Sequence, residues 1–205
     1  MIKTIPHSFI YIHGFGSSPA SWKAQLMKQV IADRSPHQID LPQLPFSPES
    51  AMAVLQSLLE RRVAQRGAEH VTLIGSSLGG YYALYWAQRF RLKTVLINPA
   101  VRPWESLSNY LGDNQNYHTG EHFTFYPHHI AELKQYDVEV ISQPENIYLL
   151  LQSADEVLDY RQALAKFPDS LIALQQGGSH GFDNFEQMIP SILNFVGISD
   201  TARTK

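Results

Sequence analysis

A glycine–serine turn between a strand and a helix constrains this chain more than any other segment. Residues 71–82 read V-T-L-I-G-S-S-L-G-G-Y-Y, so an apolar, β-branched run ends in Gly75-Ser76-Ser77-Leu78-Gly79 and a helix-like segment follows. A turn of this kind between a strand and a helix is called a nucleophile elbow, and it holds the serine hydroxyl above the sheet. The flanking glycines let the strand and helix backbones pass close to each other. The pattern predicts Ser77 as a candidate nucleophile.

Apolar runs of strand length alternate with segments of helical period along the chain, and several strands are apolar on both faces. This pattern is typical of a parallel sheet covered by helices on both sides. The predicted strands are 8–13, 37–41, 71–75, 94–98, 147–151 and 171–174. The predicted helices are one that opens at Ser17-Ser18-Pro19 and runs to about Ala32, and 48–66, 78–90, 160–167 and 185–196. The length favours one domain, 1–205, with a polar, frayed tail at 199–205.

One irregular stretch runs from about 101 to 143, between the fourth and fifth predicted strands. It contains seven aromatic residues and four histidines. A loop this long in a compact domain is usually functional. We expect it to form a small cap over the carboxyl ends of the strands, where ligands bind in open α/β sheets.

Composition excludes several classes of function. A net charge of −3 gives no basic surface for nucleic acid and no polybasic membrane anchor. The chain has no cysteine, which excludes disulfides, zinc–thiolate sites and a thiol nucleophile. The absence of disulfides is typical of a cytoplasmic protein. The first apolar stretch is too short for a signal peptide, and no window approaches a transmembrane helix.

A serine hydroxyl needs a base to take its proton and a third group to orient that base. In the α/β-hydrolase arrangement the acid and then the histidine follow the serine along the chain. Asp155 comes just beyond the fifth predicted strand and His180 just beyond the sixth, so both fall at the same edge of the sheet as Ser77. For the oxyanion hole we predict the backbone N–H groups of Leu78 and of Phe15, in the glycine-containing loop after the first strand.

Each assignment has an alternative. Ser76 competes as the nucleophile, but it lacks a glycine at both second positions. Asp159 and Asp183 compete as the acid, but each precedes a predicted helix and is better placed as a helix cap. His13 is interpreted as a brace for the oxyanion loop rather than as a base.

Four histidines in the insertion raise the possibility of a metal site. His118 and His122 have the i, i+4 spacing of one helical face, but Gly120 disfavours a helix there. No set of a known zinc pattern is present among these residues and His128 and His129. We therefore predict neither a metal nor a cofactor.

Several stretches together resemble the small bacterial YqiA-type esterases of the α/β-hydrolase superfamily. The resemblance runs from about Phe9 to Gly197 and is carried by YIHGFGSSP, GSSLGGYYA, NPAVRPWE, YLGDNQNYHTGE, DEVLDYRQA and GGSHGF. It implies a compact cytoplasmic esterase with Ser77 as nucleophile, Asp155 as acid and His180 as base. One departure is Gln152, since many hydrolases have a glycine three residues before the acid.

The combined prediction is an α/β-hydrolase fold with a trimmed, mainly parallel sheet of six to seven strands. The predicted reaction is hydrolysis of a small-molecule acyl ester through an acyl-enzyme. The alternatives are an acyl-CoA thioesterase using the same triad and a non-catalytic binding protein that keeps the fold. The predicted partners are small molecules, with no nucleic acid and no stable membrane anchor. The oligomeric state is not assigned.

Overall fold

Six parallel strands form the central sheet of the computed structural model, which describes residues 5–198. The strands of this sheet are β1 (Ser8–Ile12), β2 (Gln38–Asp40), β3 (Val71–Ser76), β4 (Lys93–Ile97), β7 (Ile147–Gln152) and β8 (Leu171–Gln175). They lie in the order β2-β1-β3-β4-β7-β8, and every neighbouring pair is parallel. The predicted parallel sheet is therefore confirmed.

Both faces of this sheet are covered by helices. The helices are α1 (Trp22–Ala32), α2 (Pro48–Arg66), α3 (Leu78–Phe90), α4 (Pro103–Ser106), α5 (Pro127–Lys134), α6 (Tyr160–Lys166) and α7 (Ile189–Val196). Alternate strand residues enter two separate apolar clusters, one shared with α2, α3, α5 and α6 and the other with α1 and α7. Since successive side chains of a strand point to opposite faces, strands that are apolar throughout fill both clusters.

The first helix begins later than predicted, at Trp22 rather than around Pro19. Residues before it form a turn in which the Ser18 hydroxyl accepts the Ala20 N–H at 3.1 Å and the Ser18 carbonyl accepts the Ser21 N–H at 3.1 Å. The serine side chain thus serves a turn before the helix and does not cap the helix itself.

The last predicted helix, 185–196, is divided in two. Residues Phe185–Met188 form a 3₁₀ turn, and only Ile189–Val196 is α-helical. Pro190 lacks an N–H and cannot make the α-helical bond to the turn before it, so it lies in the first turn of the α-helix, where that N–H is not needed.

The insertion at 101–143 has more regular structure than its sequence pattern indicates. It contains α4, a 3₁₀ turn at Leu107–Tyr110, an antiparallel pair β5 (Gly112–Gln115) and β6 (His122–Phe125), and α5. The Tyr81 hydroxyl of α3 donates to the Leu133 carbonyl of α5 at 2.6 Å. This bond and the apolar residues of α5 fasten the insertion to the core.

The predicted polar tail, 199–205, lies outside the described residues. Among residues 5–198, no helix is both long enough and apolar enough to cross a lipid bilayer.

A buried histidine, His7, directly precedes β1. His7 is 5% exposed, and its Nε2 lies 2.9 Å from Oγ1 of Thr72 in the neighbouring strand β3. Burial, with smaller contributions from His37, His70 and Lys93, lowers the pKa of His7 from 6.5 to about 4. The folded protein therefore holds this ring neutral over a range where the unfolded chain protonates it.

This difference in pKa makes stability depend on pH. Between pH 6.5 and 4 the unfolded chain binds a proton at His7 that the folded protein does not, so stability present above pH 6.5 is lost as pH falls. We expect the unfolding free energy of the wild type to fall more steeply than that of His7→Gln, by up to about 3 kcal/mol across this window. Urea titrations at several pH values measure it, and parallel curves for the two proteins would contradict it.

Candidate functional site

The elbow predicted from the sequence is formed between β3 and α3. Ser77 connects them with φ 56° and ψ −122°, a backbone conformation that side-chain-bearing residues rarely adopt. Its N–H donates to the Ile97 carbonyl at 3.0 Å, and its carbonyl accepts the Ala100 N–H at 3.1 Å. These bonds to the end of β4 and the segment beyond it hold the strained turn in place.

The glycines on either side of Ser77 lie where two backbones cross. A Cβ added at Gly75 would overlap the Gly79 carbonyl, and a Cβ at Gly79 would overlap the Ile12 carbonyl at the end of β1. The close approach of strand and helix that the pattern predicts is therefore present, and it leaves no space for a side chain at either position.

Three residues predicted from separate strand ends come together in the structure. His180 Nε2 lies 3.1 Å from Ser77 Oγ, and His180 Nδ1 lies 2.9 Å from Asp155 Oδ2. A proton on Nδ1 facing the carboxylate leaves the Nε2 lone pair directed at the serine hydroxyl. The arrangement can take a proton from Ser77 and stabilise the resulting imidazolium.

The Asp155 carboxylate is enclosed, with its side chain only 2% exposed. Its Oδ1 accepts the backbone N–H groups of Val157 at 2.9 Å and Leu158 at 2.8 Å, in addition to its contact with the imidazole. These donors fix the carboxylate in a single orientation and satisfy its lone pairs.

Two charged residues near His180 were not identified from the sequence. Glu156 Oε2 accepts the His180 N–H at 2.9 Å, and Lys23 Nζ donates to the Gly181 carbonyl at 2.6 Å. Burial lowers the pKa of Lys23 to about 8, while the charge of Asp155 acts in the opposite direction. Neither residue has a sequence signal, because Lys23 lies in a different part of the chain and Glu156 follows the acid without a recognisable spacing.

The competing residues occupy other positions. Ser76 ends β3 with 8% exposure, and its side chain lies near the buried Tyr11. Asp159 is the N-cap of α6 and accepts the Arg161 N–H at 3.0 Å, as predicted. Asp183 accepts the Ser179 hydroxyl at 2.6 Å, and Asn184 rather than Asp183 caps the following 3₁₀ turn, so the predicted cap role of Asp183 is wrong.

The loop after β1 runs alongside Ser77. A Cβ at Gly14 would lie 3.2 Å from Ser77 Cβ, so the backbone passes directly beside the serine. His13 Nε2 accepts the Leu44 N–H at 3.2 Å, and His13 Nδ1 lies 3.0 Å from the Gly14 carbonyl. Burial lowers the pKa of His13, which favours the neutral ring that these two contacts require. His13 thus connects this loop to the loop around Leu44.

The insertion contacts the same loop from the other side. The Tyr117 N–H donates to the Gly16 carbonyl at 2.8 Å, and Asn116 Nδ2 donates to the Ser17 carbonyl at 2.8 Å. The Phe15 ring makes edge contacts with aromatic rings of the insertion, at 5.1–5.6 Å between ring centroids: Tyr110, Phe123 and Phe125.

A cavity of about 390 Å³ lies between the insertion and the strand ends. Ser77 and His180 open into it, together with Phe15 and Leu78, the predicted oxyanion donors. Because Leu78 begins α3, its N–H has no acceptor within the helix. The remaining wall is mixed, with apolar side chains such as Leu107 and polar ones such as Asn109.

One group of possible metal ligands lies in the insertion. Ligand atoms of His128, His129 and Glu132 lie within 4.8 Å of one another. Glu132 Oε2 already accepts the Ser47 hydroxyl and the Glu49 N–H. His129 Nδ1 accepts the Tyr126 N–H, so its neutral ring carries the proton on Nε2 and offers no free lone pair. These contacts give Glu132 and His129 structural roles within α5 and its surroundings.

Comparison with known protein families identifies the family of this chain. The model of the Uncharacterised protein family (UPF0227), the YqiA-like family, matches residues 8–197. The chain belongs to this family. The residues matched by the UPF0227 model include the whole sheet, the insertion, and Ser77, Asp155 and His180.

Solved structures with little sequence identity share the fold of this UPF0227 chain. Est1E from Butyrivibrio proteoclasticus superposes with a TM-score of 0.70 at 11% identity, over 95% of this chain and 90% of that one. The Paleococcus ferrophilus monoacylglycerol lipase gives 0.69 at 16% identity, over 93% and 95%. The esterase domain of a Rhodothermus marinus protein gives 0.63 at 17% identity, over 95% and 86%. The fold is the α/β-hydrolase fold.

The backbone crossing at the elbow makes a direct prediction. Gly79→Ala would force its Cβ against the Ile12 carbonyl, and neither backbone segment has room to move. We expect the unfolding free energy to fall by at least about 3 kcal/mol, or soluble protein to be lost. Gly181→Ala is the control, because its Cβ would meet only Ser179 Oγ at 3.4 Å. Denaturant titration compares the two, and equal stability would contradict the account.

Proposed function

We propose that this UPF0227 protein is a serine hydrolase that cleaves carboxylic esters through an acyl-enzyme formed on Ser77. The observation that carries the proposal is the continuous series of contacts from Asp155 through His180 to Ser77, with 2.9 Å and 3.1 Å between the interacting atoms. The α/β-hydrolase fold, shared with proteins described as esterases and a lipase, supports the same reaction class.

The first step is acylation. Ser77 Oγ attacks the ester carbonyl carbon while His180 Nε2 takes the hydroxyl proton. The carbonyl oxygen becomes an oxyanion, and the N–H groups of Phe15 and Leu78 stabilise it. The carbon–oxygen bond to the alcohol then breaks, and His180 returns the proton to the departing alkoxide.

The second step is deacylation. His180 takes a proton from water, and the hydroxide attacks the acyl carbon on Ser77 Oγ. The carboxylic acid leaves as the proton returns to the serine. Asp155 stays ionised throughout and stabilises the imidazolium that forms in each half of the reaction.

The shape of the cavity supports a small substrate. Its volume of about 390 Å³ lies at the lower end of the range for small-molecule sites. The insertion supplies most of the wall that does not belong to the strand ends, so acyl-chain selection depends on residues such as Leu107 and Tyr110. A chain-length series of activated acyl esters measures this selection.

Replacing the serine tests the proposal. Ser77→Ala removes the nucleophile and leaves the cavity open, so we expect kcat/KM on short activated acyl esters to fall by at least about 1,000-fold. Ser76→Ala, one residue earlier, is the matched control, and we expect it to stay within about threefold of the wild type.

Retention of the wild-type rate by Ser77→Ala would overturn the proposal. A wild type without activity on any ester of the series, and inert to serine-directed reagents, would favour the non-catalytic binding protein. A matched oxygen ester and thioester with the same acyl group separate the esterase from the thioesterase.

A further inference from the structure

Two buried amide side chains make hydrogen bonds to the loop that carries His180. Gln152 is the last residue of β7, and Asn98 directly follows β4; each is 2% exposed. β4 and β7 are neighbours in the sheet, so the two amides lie side by side under residues 177–183. Neither residue lines the cavity.

The carboxamide of Gln152 has all its hydrogen-bonding positions occupied. Its Oε1 accepts the N–H of Ser179 at 2.9 Å and of Asp183 at 2.8 Å. Its Nε2 donates to the Asp183 carbonyl at 2.8 Å and to Gln175 Oε1 at 2.7 Å. The two residues it binds through their main chains stand on either side of His180, so one side chain fixes both ends of the short segment around the imidazole.

Asn98 completes the support with bonds to the main chain. Its Nδ2 donates to the carbonyls of Ser179 at 3.0 Å and His180 at 3.2 Å, while its Oδ1 accepts the Gln152 N–H at 3.0 Å. The φ of Asn98, 39°, is unusual for a residue other than glycine. The N–H of Asn98 donates to the Leu150 carbonyl, which stabilises this backbone conformation. The two amides therefore form one connected network.

Gln152 also belongs to the turn that presents the acid. The Asp155 N–H donates to the Gln152 carbonyl at 3.2 Å. The main chain of Gln152 thus binds the turn that contains Asp155, and its side chain binds the loop that contains His180. A displacement of Gln152 changes the position of His180 relative to both Asp155 and Ser77.

We propose that Gln152 is a positioning residue that keeps the His180 imidazole in register with Asp155 and Ser77. This inference rests on the proposed function. It gives a role to the residue three places before the acid, where many hydrolases have a glycine. Asn98 holds Gln152 and the loop together, and Lys23 binds the Gly181 carbonyl from α1. A loop with glycines at 177, 178 and 181 is expected to be flexible, and hydrogen bonds from distant elements restrict its movement.

Two neighbouring glycines allow a test that leaves Gln152 itself in place. Gly177 and Gly178 are both exposed, and their φ values are 82° and 80°. A Cβ at Gly178 would overlap the Gln152 carboxamide, whereas a Cβ at Gly177 would meet nothing within 4 Å. Both alanine variants place a side chain at nearly the same positive φ, so their difference reports the displacement of Gln152.

We expect Gly178→Ala to lower kcat on an activated acyl ester on the order of 10- to 100-fold relative to Gly177→Ala, because a small misplacement of a catalytic group is costly. KM should stay within about twofold in both, since the part of the cavity wall that the insertion supplies is unchanged. Gln152→Leu should give the same split between kcat and KM. Thr72→Val serves as its control, because it removes a buried hydrogen bond at the opposite end of β3.

Amide hydrogen exchange provides a readout that does not require activity. We expect the N–H groups of Ser179 and Asp183 to exchange at least about 10-fold faster in Gly178→Ala than in Gly177→Ala. Equal kcat and equal exchange in the two glycine variants would overturn the positioning role, whether or not Gln152→Leu folds. Faster exchange with an unchanged kcat would also overturn it, since Gln152 would then be only structural.

The two proposals fail in different ways. If the wild type does not turn over any ester and Ser77→Ala changes nothing, the proposed function is wrong. If the wild type is active and Ser77→Ala is inactive while Gly178→Ala matches Gly177→Ala, the proposed function stands and the role of Gln152 is wrong.

Discussion

The close crossing of α3 over the ends of β1 and β3 is the constraint on which the site depends. Because Gly75 and Gly79 carry no side chain, the backbones can pass closely enough for the chain to turn from strand to helix within one residue, Ser77. That residue takes a strained backbone conformation and stands at the carboxyl edge of the sheet, the edge at which all parallel strands end together. Loops from β1, β7 and β8 therefore reach the same hydroxyl without any long excursion of the chain.

Buried polar contacts give this edge its rigidity. The strand ends supply not only Asp155 but also Asn98 and Gln152, whose amides bond to main-chain groups of the His180 loop. Lys23 adds a buried cation from α1. Such groups cost free energy to bury unless they are paired, and here each has partners. These contacts hold the glycine-rich loop with the His180 imidazole beside Ser77 and Asp155.

Much of this architecture is predictable because it follows from local pattern. Strands that are apolar on both faces predict a parallel sheet covered by helices. Ser77, Asp155 and His180 each follow a predicted strand, so the pattern places all three at one edge of the sheet. The start of α1 and the division of the last helix were missed, because a serine turn and Pro190 decide them locally. The side-chain contacts of Gln152 could not be predicted, since its partners Ser179 and Asp183 lie more than 20 residues away in sequence. The hairpin in the insertion was missed because β5 and β6 are only four residues long and β5 has no apolar side chain.

The central claim is that Ser77 is an activated nucleophile, and labelling with a fluorophosphonate probe followed by peptide mapping tests it most directly. The account predicts one adduct, on the peptide that contains Ser77, at the Ser77 position. It predicts no adduct in Ser77→Ala and much slower labelling in His180→Ala, because the proton of the hydroxyl then has no acceptor. Absence of an adduct on the folded wild type, or an adduct at Ser76 instead, would contradict it.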